Sequence, residues 1–106
     1  MSQFKSVTTG AAALSKTITP AVSFALESIM LHLSTAGGAG NLTITVDSGD
    51  GAVYDTVILT QDMTSVTDLL WQPERPIELD SGDSVIIAWA NAGTKTYGLT
   101  VKWLGR

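Results

Sequence analysis

Apolar and polar residues alternate most cleanly at two places along the chain. Leu42, Ile44 and Val46 interleave with Thr43, Thr45 and Asp47, while Tyr97, Leu99, Val101 and Trp103 interleave with Gly98, Thr100 and Lys102. A period of two places one set toward a core and the other toward water, the mark of a half-buried strand. Between these segments, Val85 to Ala90 is apolar on both parities, with Val85, Ile87 and Trp89 on one side and Ile86, Ala88 and Ala90 on the other. A strand of that kind is normally covered twice. The short Asn91-Ala92-Gly93-Thr94 loop then predicts that 85–90 and 97–103 pair as an antiparallel hairpin.

The remaining segments follow the same logic. Residues 1–19 predict a short strand near Gln3–Thr8, a break over 10–13 and a second strand near Leu14–Thr19, or else an extended arm that orders on a neighbouring subunit. In 21–33, Val22, Phe24 and Leu26 share one parity and Ile29, Leu31 and Leu33 the other. The phase change at Glu27-Ser28 reads as a β-bulge or bend. The helical spacing of Phe24, Glu27, Ser28 and Leu31 competes with this, but the strand-rich surroundings favour a strand. Further strands are predicted over 53–60, with its facing unclear, over 66–71, and at Ile77–Leu79. The stretch Gln72–Pro76 is expected as a rigid crossing loop, because neither proline can donate to a central ladder. Turns fall at 35–40, 47–51 and 61–65, and the tetrapeptide Asp-Ser-Gly-Asp recurs at 47–50 and 80–83 as independent turn chemistry. Eight or nine short strands with no convincing helix predict an all-β, single antiparallel β-sandwich of jelly-roll type: residues 1–19 as N-terminal strand or arm, and 20–106 as the sandwich of one domain.

Composition narrows the role more than the fold. At 106 residues the chain is of common single-domain size. Only 15% of its residues are charged, against about 25% in average soluble proteins. A surface so poor in charge suits one largely covered by partners, or a neutral Thr/Ser-rich β surface. The net charge of −4 and six scattered basic residues argue against nucleic acid, which demands clustered Lys and Arg. Cysteine is absent, so thiol catalysis and disulfides are excluded. No segment predicts a membrane span or a classical export signal.

Candidate chemistry is thin. Asp47, Asp50, Asp55, Asp80 and Asp83 lie near tight turns, but without the alternating acidic spacing of a calcium loop, so no metal or other cofactor is expected. Trp89 and Trp103 share parity with apolar neighbours and are expected in the core. Trp71, beside Pro73, is the one credible exposed aromatic, and it carries the alternative of a carbohydrate-binding, lectin-like module. His32 is the only histidine and alternates with Leu31 and Leu33, facing solvent or an interface. No nucleophile elbow, tuned carboxylate pair or phosphate-binding glycine loop accompanies it, and the expectation is a protein that is not an enzyme.

Leu79, Gly82, Asp83 and Val85, followed by the closing Tyr97–Trp103 strand, resemble the turn-and-strand stretch before a central strand in small jelly-roll sandwiches. The cysteine-free, Thr/Ala/Gly-rich chain also resembles the capsid decoration and minor structural proteins of tailed bacteriophage virions. That resemblance implies a symmetric assembly role in a virion made in the host cytoplasm. The implied partners are further copies of the chain and other virion proteins such as the major capsid protein, with neither nucleic acid nor membrane. From the residues themselves, apolar positions left over once a core is filled mark an interface. These are Ile86, Ala88 and Ala90, with Tyr54 and Ile58, unless the N-terminal segment covers them within the monomer.

Overall fold

The computed structural model describes residues 2–106. Nine strands lie among them: β1 (Ser2–Gly10), β2 (Leu14–Ile18), β3 (Phe24–Leu33), β4 (Asn41–Asp47), β5 (Thr56–Asp62), β6 (Asp68–Trp71), β7 (Ile77–Leu79), β8 (Ser84–Trp89) and β9 (Tyr97–Gly105). They form two antiparallel sheets. One has the order β1-β9-β3-β6, with β7 also on β3, and the other the order β2-β8-β4-β5. The pairings are nested along the chain: β1 with β9, β2 with β8, β3 with β6 and β7, and β4 with β5. A long antiparallel ribbon with this nesting, rolled so that β9 meets β3 and β8 meets β4, is a jelly-roll sandwich.

The core lies between the sheets and uses one parity of each inner strand. Phe24, Leu26, Ile29, Leu31 and Leu33 of β3 join Leu99 and Val101 of β9, and they face Leu42 and Ile44 of β4 and Val85, Ile87 and Trp89 of β8. Each such side chain contributes about 1.5–3 kcal/mol on burial. β3 can bury both halves of its pattern because Glu27 is an extra residue: Leu26 opposes Trp103, but Ser28 already opposes Lys102. The bulge read from the phase change is therefore present.

Several sequence expectations are corrected. β8 and β9 do not form a hairpin; each sits in the middle of a different sheet, and residues 90–96 carry the chain across the sandwich. Alternation specifies a buried face but not the strand that pairs alongside it. The segment 53–60 begins with a single 3-10 turn over Ala52–Tyr54, and its strand starts only at Thr56. Its unclear facing has a cause: Ile44 opposes Leu59 while Thr45 opposes Val57, so Ile58 is a bulge. Residues 72–76 do not cross between sheets, since β6 and β7 both pair with β3 on one edge and the proline segment detours between them. Residues 1–19, read as strand or arm, supply β1 and β2, one edge strand of each sheet.

Candidate functional site: the solvent faces of the two sheets

The functional candidates lie on the outer sides of the sheets, where register decides which residues meet. On the β2-β8-β4-β5 sheet, Ile86 lies between Thr17 and Thr45, with Val57 beyond, and Ala88 lies between Ser15 and Thr43. Ile86 and Ala88 are half-buried by these neighbours, and Ala90, past the end of β8, is exposed. No second layer covers this side of β8 among the described residues, contrary to the expectation drawn from its two apolar parities. Tyr54 stands exposed on the 3-10 turn next to Val53. Ile58, at the bulge, is half-buried and packs against the core.

The outer side of the β1-β9-β3-β6 sheet is more apolar. Val7, Thr100, Met30 and Leu70 are register neighbours across four strands, a row without charge. Val7 is 68% exposed and Leu70 63%. Beside this row is an open depression of about 450 Å³, lined by Met30, His32, Asp68, Leu70, Gly98 and Thr100. Gly98 contributes to it because a Cβ there would meet nothing. The row was missed from sequence because Val7 and Leu70 lie in weakly alternating segments. The signal that could have found it is the phase change at Glu27-Ser28, which turns Met30 and His32 away from Ile29 and Leu31.

Charge frames this row on both sides. At one end, His32 Nδ1 lies 2.6 Å from Asp68 Oδ1. Both side chains are well exposed, as expected for His32, and the hydrogen bond from the His32 ring holds the Asp68 carboxyl below the usual carboxylate range. At the other end Lys5 opposes Lys102, which makes that row positive.

The other candidates are occupied structurally. Trp71 opposes Ile29 and packs partly buried against the core, leaving less of its ring to solvent than a free platform would. Trp89 is buried, and Trp103 packs on the core and stacks on Phe4 at 5.9 Å between ring centroids. The turn aspartates do not converge: Asp83 accepts from the backbone N–H groups of Gly49 and Asp80, and Asp55 accepts from that of Ser48. Among the described residues, no three His, Cys, Asp or Glu side chains are grouped to hold a metal ion.

No family model matches the chain, and no curated protein matches it in sequence. Among solved structures it is similar to the nucleoplasmin-like N-terminal domain of Drosophila FKBP39, with 10% identity, 98% of this chain and 90% of that one covered, and a TM-score of 0.47. It is also similar to a protein of the disulfide-linked pili that form Bacillus endospore appendages, with 16% identity, 99% and 88% coverage, and a TM-score of 0.42. A third similarity, to a chain from infectious bursal disease virus strain Gx, has 18% identity, 97% and 29% coverage, and a TM-score of 0.33. These values are too low for a role to pass from any of these proteins to this chain.

Proposed function

We propose that this protein is a non-enzymatic structural subunit that joins a larger assembly through the outer sides of its sheets. The assembly proposed is a phage virion, with the chain as a decoration or minor capsid or tail protein. The observation that carries the assembly role is the uncharged row of Val7, Thr100, Met30 and Leu70, which runs across four strands with Val7 and Leu70 exposed and Met30 and Thr100 half-buried between them. The virion context rests on the resemblance of the chain's cysteine-free, Thr/Ala/Gly-rich composition alone.

Magnitudes indicate what kind of assembly this is. Fully burying a Val, Leu or Met side chain contributes about 1.5–3 kcal/mol, whereas association costs an estimated 4–15 kcal/mol. Three partly exposed apolar side chains therefore give a weak pairwise contact, one suited to repetition in a closed symmetric array. The test is sedimentation velocity of the full chain over a wide concentration range, beside the Met30→Asp and Leu70→Asp variants, together with mass spectrometry of purified virions from the source. Self-association lost in both variants and presence of the chain in particles support the proposal. A strict monomer that is absent from particles refutes it.

A further inference from the structure

On the outer side of the β1-β9-β3-β6 sheet, the two rows that flank the apolar one differ in sign. On one flank Lys5 opposes Lys102, and Lys102 opposes Ser28. On the other flank Thr9, Gly98, His32 and Asp68 lie side by side across the four strands, and Asp68 is the only carboxylate among them. Past the lysines, Glu27 accepts from Gln3, and Glu78 is paired with Arg106. Met30 stands midway between the two kinds of charge. Lys102 is one strand away on β9 and two residues toward Ser28; Asp68 is one strand away on β6 and two residues toward His32.

Resting on the reading that this chain assembles through its sheet faces, we infer that this face receives the same face of a second copy, about a two-fold axis that passes over Met30. The axis lies in the plane of the contact, at right angles to the line from Lys102 to Asp68. A half-turn about it sets Lys102 of each copy on Asp68 of the other, and the two apolar rows cross at Met30. With strands about 4.8 Å apart and residues about 3.4 Å apart along each, the same half-turn brings Lys5 within roughly 5 Å of the point over Asp68. It also brings the exposed Val7 within roughly 3 Å of the point over Gly98, where the missing side chain leaves the depression open. Charge and shape thus match under one rotation. A face can match itself in this way only if it carries both signs, one on each side of the axis. Any other partner would have to supply that pattern, whereas a second copy already has it.

Charge reversal tests the pairing, by sedimentation velocity of the full chain at low salt and at about pH 8, above the usual histidine range. Lys102→Glu and Asp68→Lys are each expected to raise the dimer dissociation constant by roughly 5- to 100-fold, because each change opposes like charges at two contacts of the symmetric dimer. General repulsion predicts the reverse for Asp68→Lys, which makes an acidic chain less negative. An equimolar mixture of the two variants is expected to associate close to the parent value, since positions 102 and 68 are then opposite in sign at both contacts. Gly98→Leu fills the depression without altering charge and is expected to weaken the dimer by roughly tenfold or more, with thermal unfolding of the monomer little changed. Single variants that weaken association while their mixture fails to restore it overturn the pairing of Lys102 with Asp68, and with it the proposal. Self-association equal in the parent and all variants overturns this face while leaving the assembly role standing. A parent that is monomeric at every concentration yet present in virions overturns the second copy as occupant, and one that is monomeric and absent from virions overturns the assembly role as well.

Discussion

The backbone N–H of Gly49 donates to Asp83 Oδ1 at 2.8 Å, joining two turns through residues thirty-four positions apart in the chain. Both turns read Asp-Ser-Gly-Asp. They meet because Asp47, at the end of β4, pairs with Ser84, at the start of β8. The second carboxylate oxygen of Asp83 accepts from the Asp80 N–H, closing its own turn. One nearly buried carboxylate thus fixes one turn and holds the other against it.

Removing that carboxylate should cost stability out of proportion to its size. Asp83→Ala removes two hydrogen bonds to a charged acceptor, each worth about 1.5–3 kcal/mol at most. In a domain of this size each kcal/mol lowers the melting temperature by roughly 4–8 °C. Gly49→Ala should also destabilise, because its Cβ would lie 2.9 Å from the Gly82 carbonyl oxygen. Thermal unfolding followed by circular dichroism checks both. A double mutant no worse than the poorer single one shows that both act at the same contact.

Asn91 plays the corresponding part at the opposite end of β8. It is buried, its Nδ2 donates to the carbonyls of Ala12 and Lys95, and its Oδ1 accepts from the Lys95 N–H. Its φ of 48° is in the left-handed region, which Asn tolerates better than most residues. Asn91→Gly isolates the loss of the side-chain hydrogen bonds, and Asn91→Ala adds a backbone cost of roughly 1–2 kcal/mol. Chemical denaturation should rank the parent above the glycine variant and the glycine variant above the alanine variant.

Deleting Glu27 should be far worse than replacing it. Glu27→Ala loses only exposed hydrogen bonds from Gln3 and should change stability little. Deletion removes the bulge, so that either Phe24 and Leu26 or Ile29, Leu31 and Leu33 must turn to solvent. Loss of a cooperative unfolding transition in the deletion variant alone is the expected result.

The acid limb of stability should carry two exposed carboxylates. Asp68 is held low by the hydrogen bond from His32, and Asp62 by the backbone N–H of Thr64. A carboxyl whose folded value is depressed contributes stability that is complete above its ordinary value and is lost as the pH falls through the folded one. Carboxyl-carbon NMR titration should place both midpoints below the usual aspartate range. His32→Ala should raise that of Asp68 and leave that of Asp62 in place.

Much of the inner face was legible in the sequence. Alternation at Leu42–Val46 and Tyr97–Val101, and the phase change at Glu27-Ser28, identify core residues and a bulge because a pleated strand sends successive side chains to opposite sides wherever it lies. The facing of 53–60 was not legible, because the bulge at Ile58 breaks the same rule and nothing local marks it. The outer-face candidates divided for the same reason. Ile86 and Ala88 share a surface as their parity implied, whereas Ile58 went to the core, and Met30 and Leu70 came together only through the pairing of β3 with β6.

What the sequence by itself determined is where most of the strands lie and the side that the cleanly alternating ones bury, since both follow from spacing within a few residues. Which strand lies beside which was decided only by the tertiary structure. β9 buries its expected face and β8 only one of its two apolar faces, and the two part into different sheets, because a strand accepts any partner that continues the sheet. The same freedom leaves β1 with one partner and an open edge, and it brings two copies of a four-residue turn side by side. Such pairings depend on the closure of the whole ribbon into two layers, and no local stretch of sequence carries that information.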